Sequence, residues 1–391
     1  MSTENITVVG SHDVRPFRTP CCRVLANGVE QQGYAPTQIS LLRTRYARCD
    51  TLDMTLAIDR SVVAPGSYWF DLASPAAGAT LADIPITLQM RDQESDGAEW
   101  VTMFQGILDH VSFTPGSTSV AILCRDYLAK LMDLRVQDAW LNRTGTELLT
   151  AVITAAGLTA NVTLSAGYEG QYWQLEHKRH STAAQHRFQT AFDLARYVAN
   201  GSGCDLYADG QTIVCAPYPS ASDSSSVIHN LTYSDAGDDT PIQTAAMSFQ
   251  MERDYQIAKG VEVHCISWDS KQRIKAEVYF SAGGASKSRA LSNGMLHSFR
   301  FPGLKQDMLQ AKAQMLYRQI VAHERDISLT IPGCLKLAPR HFMKISGTGT
   351  TWDGTIDVDA VQTNFDPSGS FVQQVTLRTR DTTDNEDSEY D

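Results

Sequence analysis

No run of about 18 apolar residues occurs in the 391-residue chain, so no helix able to cross a bilayer is expected. The first residues, Met1-Ser-Thr-Glu-Asn-Ile-Thr, offer neither a basic start nor an apolar core. The expectation is a protein without a secretory signal that folds in a cytoplasm. A surplus of positive charge is also missing: 33 Lys and Arg face 44 Asp and Glu, for a formal net charge of −11. Specific nucleic-acid binders present basic surfaces because neutralised phosphates supply much of their affinity, and no Lys/Arg cluster stands out here. An acidic wall beside a nucleic-acid path is compatible with this balance, since it would repel the polymer and let it pass.

Metal and catalytic motifs are missing too. The eight cysteines contain no CxxC pair: Cys21-Cys22 is adjacent, and Cys49, Cys124, Cys204, Cys215, Cys265 and Cys334 are scattered. That spacing excludes zinc-finger and iron–sulfur patterns and favours small buried thiols. No GxSxG elbow, Walker loop or GxGxxG follows a strand. His323-Glu324 opens like a zinc-protease motif, but position 327 is Ile where the second histidine belongs. The histidines of His177-Lys-Arg-His180 and His186 have no acidic or cysteine neighbour at ligand spacing and read as loop residues. Asp353-Gly-Thr-Ile-Asp357-Val-Asp359 lacks the compact turn and distal Glu of a calcium loop, and a solvated strand face is expected there. A fused cell-wall hydrolase would need its own ~100–200 residues, and the layout leaves no unassigned block of that size. The reading is a non-enzyme with no catalytic, cofactor or metal residue.

What is present reads as short strands with a few helices. Strands are expected at 38–43, 52–60 and 84–91, with a hairpin over 100–124 turning at Thr114-Pro-Gly-Ser and a short helix at 126–134. Thr144-Gly-Thr-Glu147 has capping-box spacing directly before an apolar run that ends at Gly157, which predicts a helix. A second helix is expected over 182–199, closed by Gly201. Cys204 to Cys215 predicts a hairpin turning on Asp209-Gly210. With that turn Cys204 faces Cys215 at the roughly 4.5–5.5 Å Cα separation of cross-strand pairs, inside the disulfide range. The two are a candidate disulfide, formed once the protein leaves a reducing cell; the alternative is two packed thiols. Strands then return at 242–251, 260–268, 273–280, 326–331, 341–346, 355–364 and 371–380. A flexible loop at 281–287 and a long helix at 305–322 interrupt them. Residues 381–391 form an acidic tail without apolar partners, expected to be disordered.

Three stretches carry a resemblance. One is Phe104-Gln-Gly106-Ile-Leu-Asp-His-Val, a turn, and Ser119-Val-Ala-Ile-Leu-Cys-Arg125-Asp126-Tyr-Leu-Ala-Lys-Leu. Another is Thr144 to Gly157, then Phe188-Gln-Thr-Ala-Phe-Asp-Leu-Ala195 and the Asp209-Gly210 hairpin. The last runs from Gln310-Ala-Lys-Ala through Ile331-Pro-Gly333, Leu337-Ala-Pro339 and Trp352-Asp-Gly354 to Val375-Thr-Leu377. Their order over about residues 20–380 resembles the late-control/baseplate-hub family of contractile phage tails, which is similar to the N-terminal part of type VI secretion spike proteins. One departure is Arg340, which follows Pro339 where the family usually places Gly.

The resemblance implies a β-rich α+β fold with two tail-tube-like β-barrel domains, at 1–135 and 241–380, an α+β domain between them at 136–240, and the tail at 381–391. It implies a homotrimer joining a tail tube protein to a central spike protein among other baseplate subunits. Around the trimer's channel an acidic chain suits a non-sticking lining. No specific nucleic-acid binding and no membrane insertion are expected, and the implied location is the virion tail. Two other readings stay open: a tube initiator or distal tail protein of a non-contractile tail, and a carbohydrate-active enzyme. The six dispersed tryptophans give the latter no aromatic platform.

Overall fold

Alternation of apolar and polar residues writes most of the strands. In a strand beginning at Thr51, for instance, Leu52, Met54, Leu56 and Ile58 are all buried while their neighbours face outward. The computed structural model describes residues 20–45, 48–77, 79–92, 99–136, 144–164, 189–232, 246–269, 274–290, 293–302, 304–366 and 370–379. His177, His180, His186, the first part of the helix expected over 182–199 and the acidic tail lie outside them.

The N-terminal strands are β1 (Pro20–Ala26), β2 (Val29–Glu30), β3 (Tyr34–Thr44), β4 (Thr51–Ile58), β5 (Pro85–Asp92), β6 (Val101–Phe113) and β7 (Ser119–Asp126). The middle holds α1 (Leu128–Asp133), α2 (Gly145–Ala155), β8 (Thr159–Val162), α3 (Ala191–Gly201), β9 (Cys204–Asp209), β10 (Thr212–Pro217) and β11 (Ile228–Thr232). Then come β12 (Ser248–Arg253), α4 (Tyr255–Ala258), β13 (Val261–Asp269), β14 (Ile274–Ser281), β15 (Gly284–Ser286), β16 (Met295–Pro302) and α5 (Gln306–Val321). The chain closes with β17 (Arg325–Pro332), β18 (Phe342–Ser346), β19 (Gly354–Asp366) and β20 (Ser370–Arg378).

A 13-stranded sheet dominates, in the order β12-β17-β20-β19-β3-β4-β7-β6-β5-β1-β2, with β18 on β19 and β11 beside β18. The two β-rich segments of the sequence are thus joined in one sheet through the antiparallel β3–β19 ladder. β1 also touches β3, but no ladder closes that strip into a barrel among the described residues. One core lies inside the N-terminal strands and a second under β17 to β20.

Two smaller units attach. In the middle, α1, α2 and α3 pack with β8, β9 and β10 around Leu149, Ile153, Phe192 and Leu206. The predicted capping box at the start of α2 is present in both directions: Glu147 N donates to Thr144 Oγ1 at 3.2 Å and Thr144 N to Glu147 Oε2 at 2.9 Å. Further on, α5 covers one face of a four-stranded sheet, β15-β14-β13-β16, through Leu309, Ala313 and Tyr317. The third sequence segment therefore has two cores, because β13 to β16 form their own sheet while β12 and β17 to β20 belong to the large one.

Several local expectations need correction. α3 starts at Ala191, where the Thr190 side chain caps Asp193 N, and the chain turns at Gly203, with φ 66°, one residue beyond the C-cap, Ser202. Residues 284–286, expected in a loop, pair as β15 with β14. The hairpin after α3 turns on Gly210-Gln211, so Asp209 faces Thr212, Leu206 faces Cys215 and Cys204 faces Pro217. Cys204 and Cys215 are diagonal neighbours, not a facing pair.

The outward face of the large sheet carries uncharged polar ranks in its C-terminal half, bordered by a charged rank of Glu252, Asp326 and Arg378. One rank of hydrogen-bonded neighbours reads Ser248, Thr330, Gln374, Gln362, Leu42, Thr51 and Arg125 across seven strands. A neighbouring rank reads Gln250, Ser328, Thr376 and Ala360. Hydroxyls and amides bond to one another there, as in Gln362 Nε2 to Ser40 Oγ at 2.7 Å and Ser248 Oγ to Thr330 Oγ1 at 2.9 Å.

Candidate functional site at the junction of the sheets

The densest group of charged side chains lies where the large sheet meets the middle unit. Just past the end of β3, Arg45 is carried inward, and its side chain is fully buried. A bulge in β19 between Val358 and Ala360 interrupts the alternation there, and Asp357 and Asp359 are both buried. The solvated face expected for these two carboxylates is overturned for that reason. β9 contributes Asp205, 2% exposed. The turn after Pro339 contributes Arg340, at φ 73°.

These groups neutralise one another in pairs. Arg45 Nη1 donates to Asp357 Oδ1, and Arg45 Nε lies 3.8 Å from Asp205 Oδ2. Arg340 Nε donates to the same Asp205 oxygen at 2.7 Å. Each guanidinium also lies over an aromatic ring, Arg45 over Tyr218 at 4.9 Å and Arg340 over Tyr207 at 3.9 Å. Arg378 brings a guanidinium to 3.9 Å from Asp359. Nearby, His229 Nε2 and His341 Nδ1 stand 3.0 Å apart. Beside this group opens a cleft of about 340 Å³, walled by Arg45, Tyr218, Gln314, Arg318, Phe342 and Asp357 among others.

A second buried pair sits at the corner of β4 and β7. Asp126 accepts the amides of Asp50 and Leu128, and Asp50 accepts that of Thr44, each at 2.9 Å. Burial pushes the Asp50 carboxyl up to about 6 and the Asp126 carboxyl up to about 7. Burial likewise lowers the neighbouring Arg43 guanidinium from its usual value. Neither carboxylate lines the cleft.

The chemistry available is binding and bracing. Burial raises the thiols of Cys22, Cys49, Cys124 and Cys265, and the Cys204 side chain raises that of Cys215 further. These cysteines are poor nucleophiles at neutral pH as a result. Cys204 and Cys215 are buried thiols in contact, not joined as a disulfide. Among the described residues no three His, Cys, Asp or Glu side chains are grouped to hold a metal, and no helix is long and apolar enough to cross a membrane. Sequence reading missed Arg45, Asp205 and Arg340 as a group, since they are far apart in the chain. The one visible signal was Arg340 at a position expected to be Gly.

No family model matches the sequence, and no curated protein matches it. Solved structures do. A 43 kDa tail protein of prophage MuSo2 from Shewanella oneidensis aligns with TM-score 0.56 at 14% identity, over 93% of this chain and 99% of that one. A tail protein from Neisseria meningitidis MC58 aligns with TM-score 0.61 at 12% identity, over 94% and 99%. The E. coli c3393 protein is a type VI secretion component with structural similarity to the T4 tail proteins gp27 and gp5. It aligns with TM-score 0.53 at 9% identity, over 92% and 77%. The chain thus has the fold of phage tail and type VI secretion spike-related proteins, the group that its sequence motifs resemble.

Proposed function

We propose that this chain is a structural subunit of a phage-type tail, the baseplate hub that joins the tail tube to a central spike. The observation that carries the reading is the single sheet uniting both β-rich segments, with its outward face of hydroxyls and amides. A wall past which a polymer slides must avoid cations, which hold phosphates, and broad apolar patches, which hold protein. The ranks from Ser248 to Gln362 and from Gln250 to Ala360 meet both conditions. The lining in this proposal is neutral rather than acidic, because the carboxylates of the junction are buried and paired with arginines.

In this reading three copies surround the channel. Each contributes two tube-like halves, 1–135 and 241–380, around an α+β domain at 136–240, within a virion assembled in the host cytoplasm. Trimer interfaces of more than roughly 2,000 Å² are expected, as in permanent complexes. The test is co-expression with the neighbouring tail proteins, followed by native mass spectrometry and imaging of the complex. Three copies bound to a tube ring and a spike are expected, and loss of the gene should give heads without tails. Six copies in the particle would favour a tube initiator instead. Peptidoglycan cleavage that disappears with one carboxylate substitution would replace the hub reading with a hub enzyme.

A further inference from the structure

We propose that the cleft beside Arg45 is a binding site for a compact oxyanion, a phosphate or a carboxylate. The Arg45 side chain is fully buried; among the described residues its Nε and Nη2 have no hydrogen-bond acceptor, with Nε standing 3.8 Å from Asp205 Oδ2. Only Nη1 is bonded, to Asp357. A guanidinium taken out of water with two N–H groups unsatisfied is costly to keep. Its Nε–Nη2 edge, no closer than 3.8 Å to Asp205 Oδ2 at Nε, carries the paired donors that planar oxyanions accept.

The local charge balance agrees. Asp357 lines the site but is bonded to Arg45 Nη1, and Asp205, behind the wall, is bonded to Arg340. Arg318, on the last turn of α5, adds an exposed cation to the cleft wall. Lys312 Nζ lies 3.4 Å from the carbonyls of Asn200 and Gly201, offsetting the negative end of α3. On the cleft wall itself Arg45 and Arg318 outweigh the single carboxylate, Asp357, in a chain whose overall charge is −11. The volume of about 340 Å³ lies at the small end of the roughly 300–1,000 Å³ typical of ligand clefts. Because its walls come from β3, the loop after β10, α5 and β19, a bound anion would tie the large sheet to both smaller units.

Calorimetric titration of the full chain, in phosphate-free buffer at constant ionic strength, tests this with inorganic phosphate and with succinate. One saturable site per chain is expected, and chloride should give no binding. Arg318→Gln should weaken the site about tenfold. Ala311→Trp, placed on the exposed surface of α5 at the cleft wall, should abolish it while leaving the Arg45 contacts intact. Tighter phosphate or tighter succinate would each support the site and name its preferred head group. Absence of saturable binding by both anions overturns the proposal. So does binding unchanged in both variants, checked as folded by circular dichroism.

Discussion

Arg340 grips Asp205 through Nε at 2.7 Å from a left-handed backbone, φ 73°, that arginine rarely adopts. The strain costs roughly 1–2 kcal/mol, whereas breaking a buried ion pair costs about 3–5 kcal/mol. Asp205 also keeps Arg45 within 3.8 Å, which moderates the loss. Arg340→Gly is therefore expected to destabilise by about 2 kcal/mol, and Arg340→Ala by more, because alanine retains the strain. Urea unfolding measures both; a more stable glycine variant would show that the pair contributes nothing.

Asp50 and Asp126 set a pH dependence with a definite sign. Their folded values, about 6 and about 7, lie above the ordinary 3.8, so the native state binds protons more tightly than the unfolded chain. Their stabilising contribution is complete below about pH 3.8 and is lost as pH rises through about 7. A tenfold tighter hold on one proton corresponds to on the order of 1.4 kcal/mol. In the Asp50→Asn/Asp126→Asn double variant, the slope of unfolding free energy between pH 5 and 8 should flatten relative to the parent. An unchanged slope would mean that these carboxyls titrate normally.

Gly106, in the Phe-x-Gly motif, is fixed by close packing. A Cβ at this position would run into the Arg125 carbonyl and the Phe104 ring, so the β6–β7 ladder cannot form around it undisturbed. Gly106→Ala should cost about 3 kcal/mol, read as a lowered melting temperature in calorimetry. A melt matching the parent would mean the ladder relaxes freely.

Cys204 and Cys215 should stay reduced. Diagonal cross-strand neighbours have Cα atoms about 7–8 Å apart, beyond the roughly 6.8 Å limit of a disulfide, and the raised Cys215 thiol disfavours the thiolate that oxidation needs. Peptide mapping without reductant should recover both as free thiols, alkylated only after denaturation. A linked peptide would restore the facing-pair expectation.

Strands and helices with strong local periodicity were legible in the sequence, such as β4 with its buried Leu52, Met54, Leu56 and Ile58, and α2 with its capping box. β16 was missed because its start breaks the pattern: Met295 and Leu296 are adjacent apolar residues that are both exposed, and only Ser298 to Phe301 alternates. The hairpin register failed over a single residue of turn placement, Gly210-Gln211 in place of Asp209-Gly210. The junction could not be read at all: Arg45, Asp205, Arg340 and Asp357 meet only through tertiary folding, and the bulge that turns Asp357 and Asp359 inward leaves no mark in local composition.

The β3–β19 ladder brings together residues as far apart as Ser40 and Gln362, 322 positions along the chain. During synthesis the N-terminal strands emerge long before their neighbour exists, and β3 waits with one edge of its backbone unpaired. Pairing over such a span is slow, because the loop must close before any contact rewards it. Fragments ending ahead of β19 should therefore expose a sticky strand edge, and depend on chaperones until the last strands leave the ribosome.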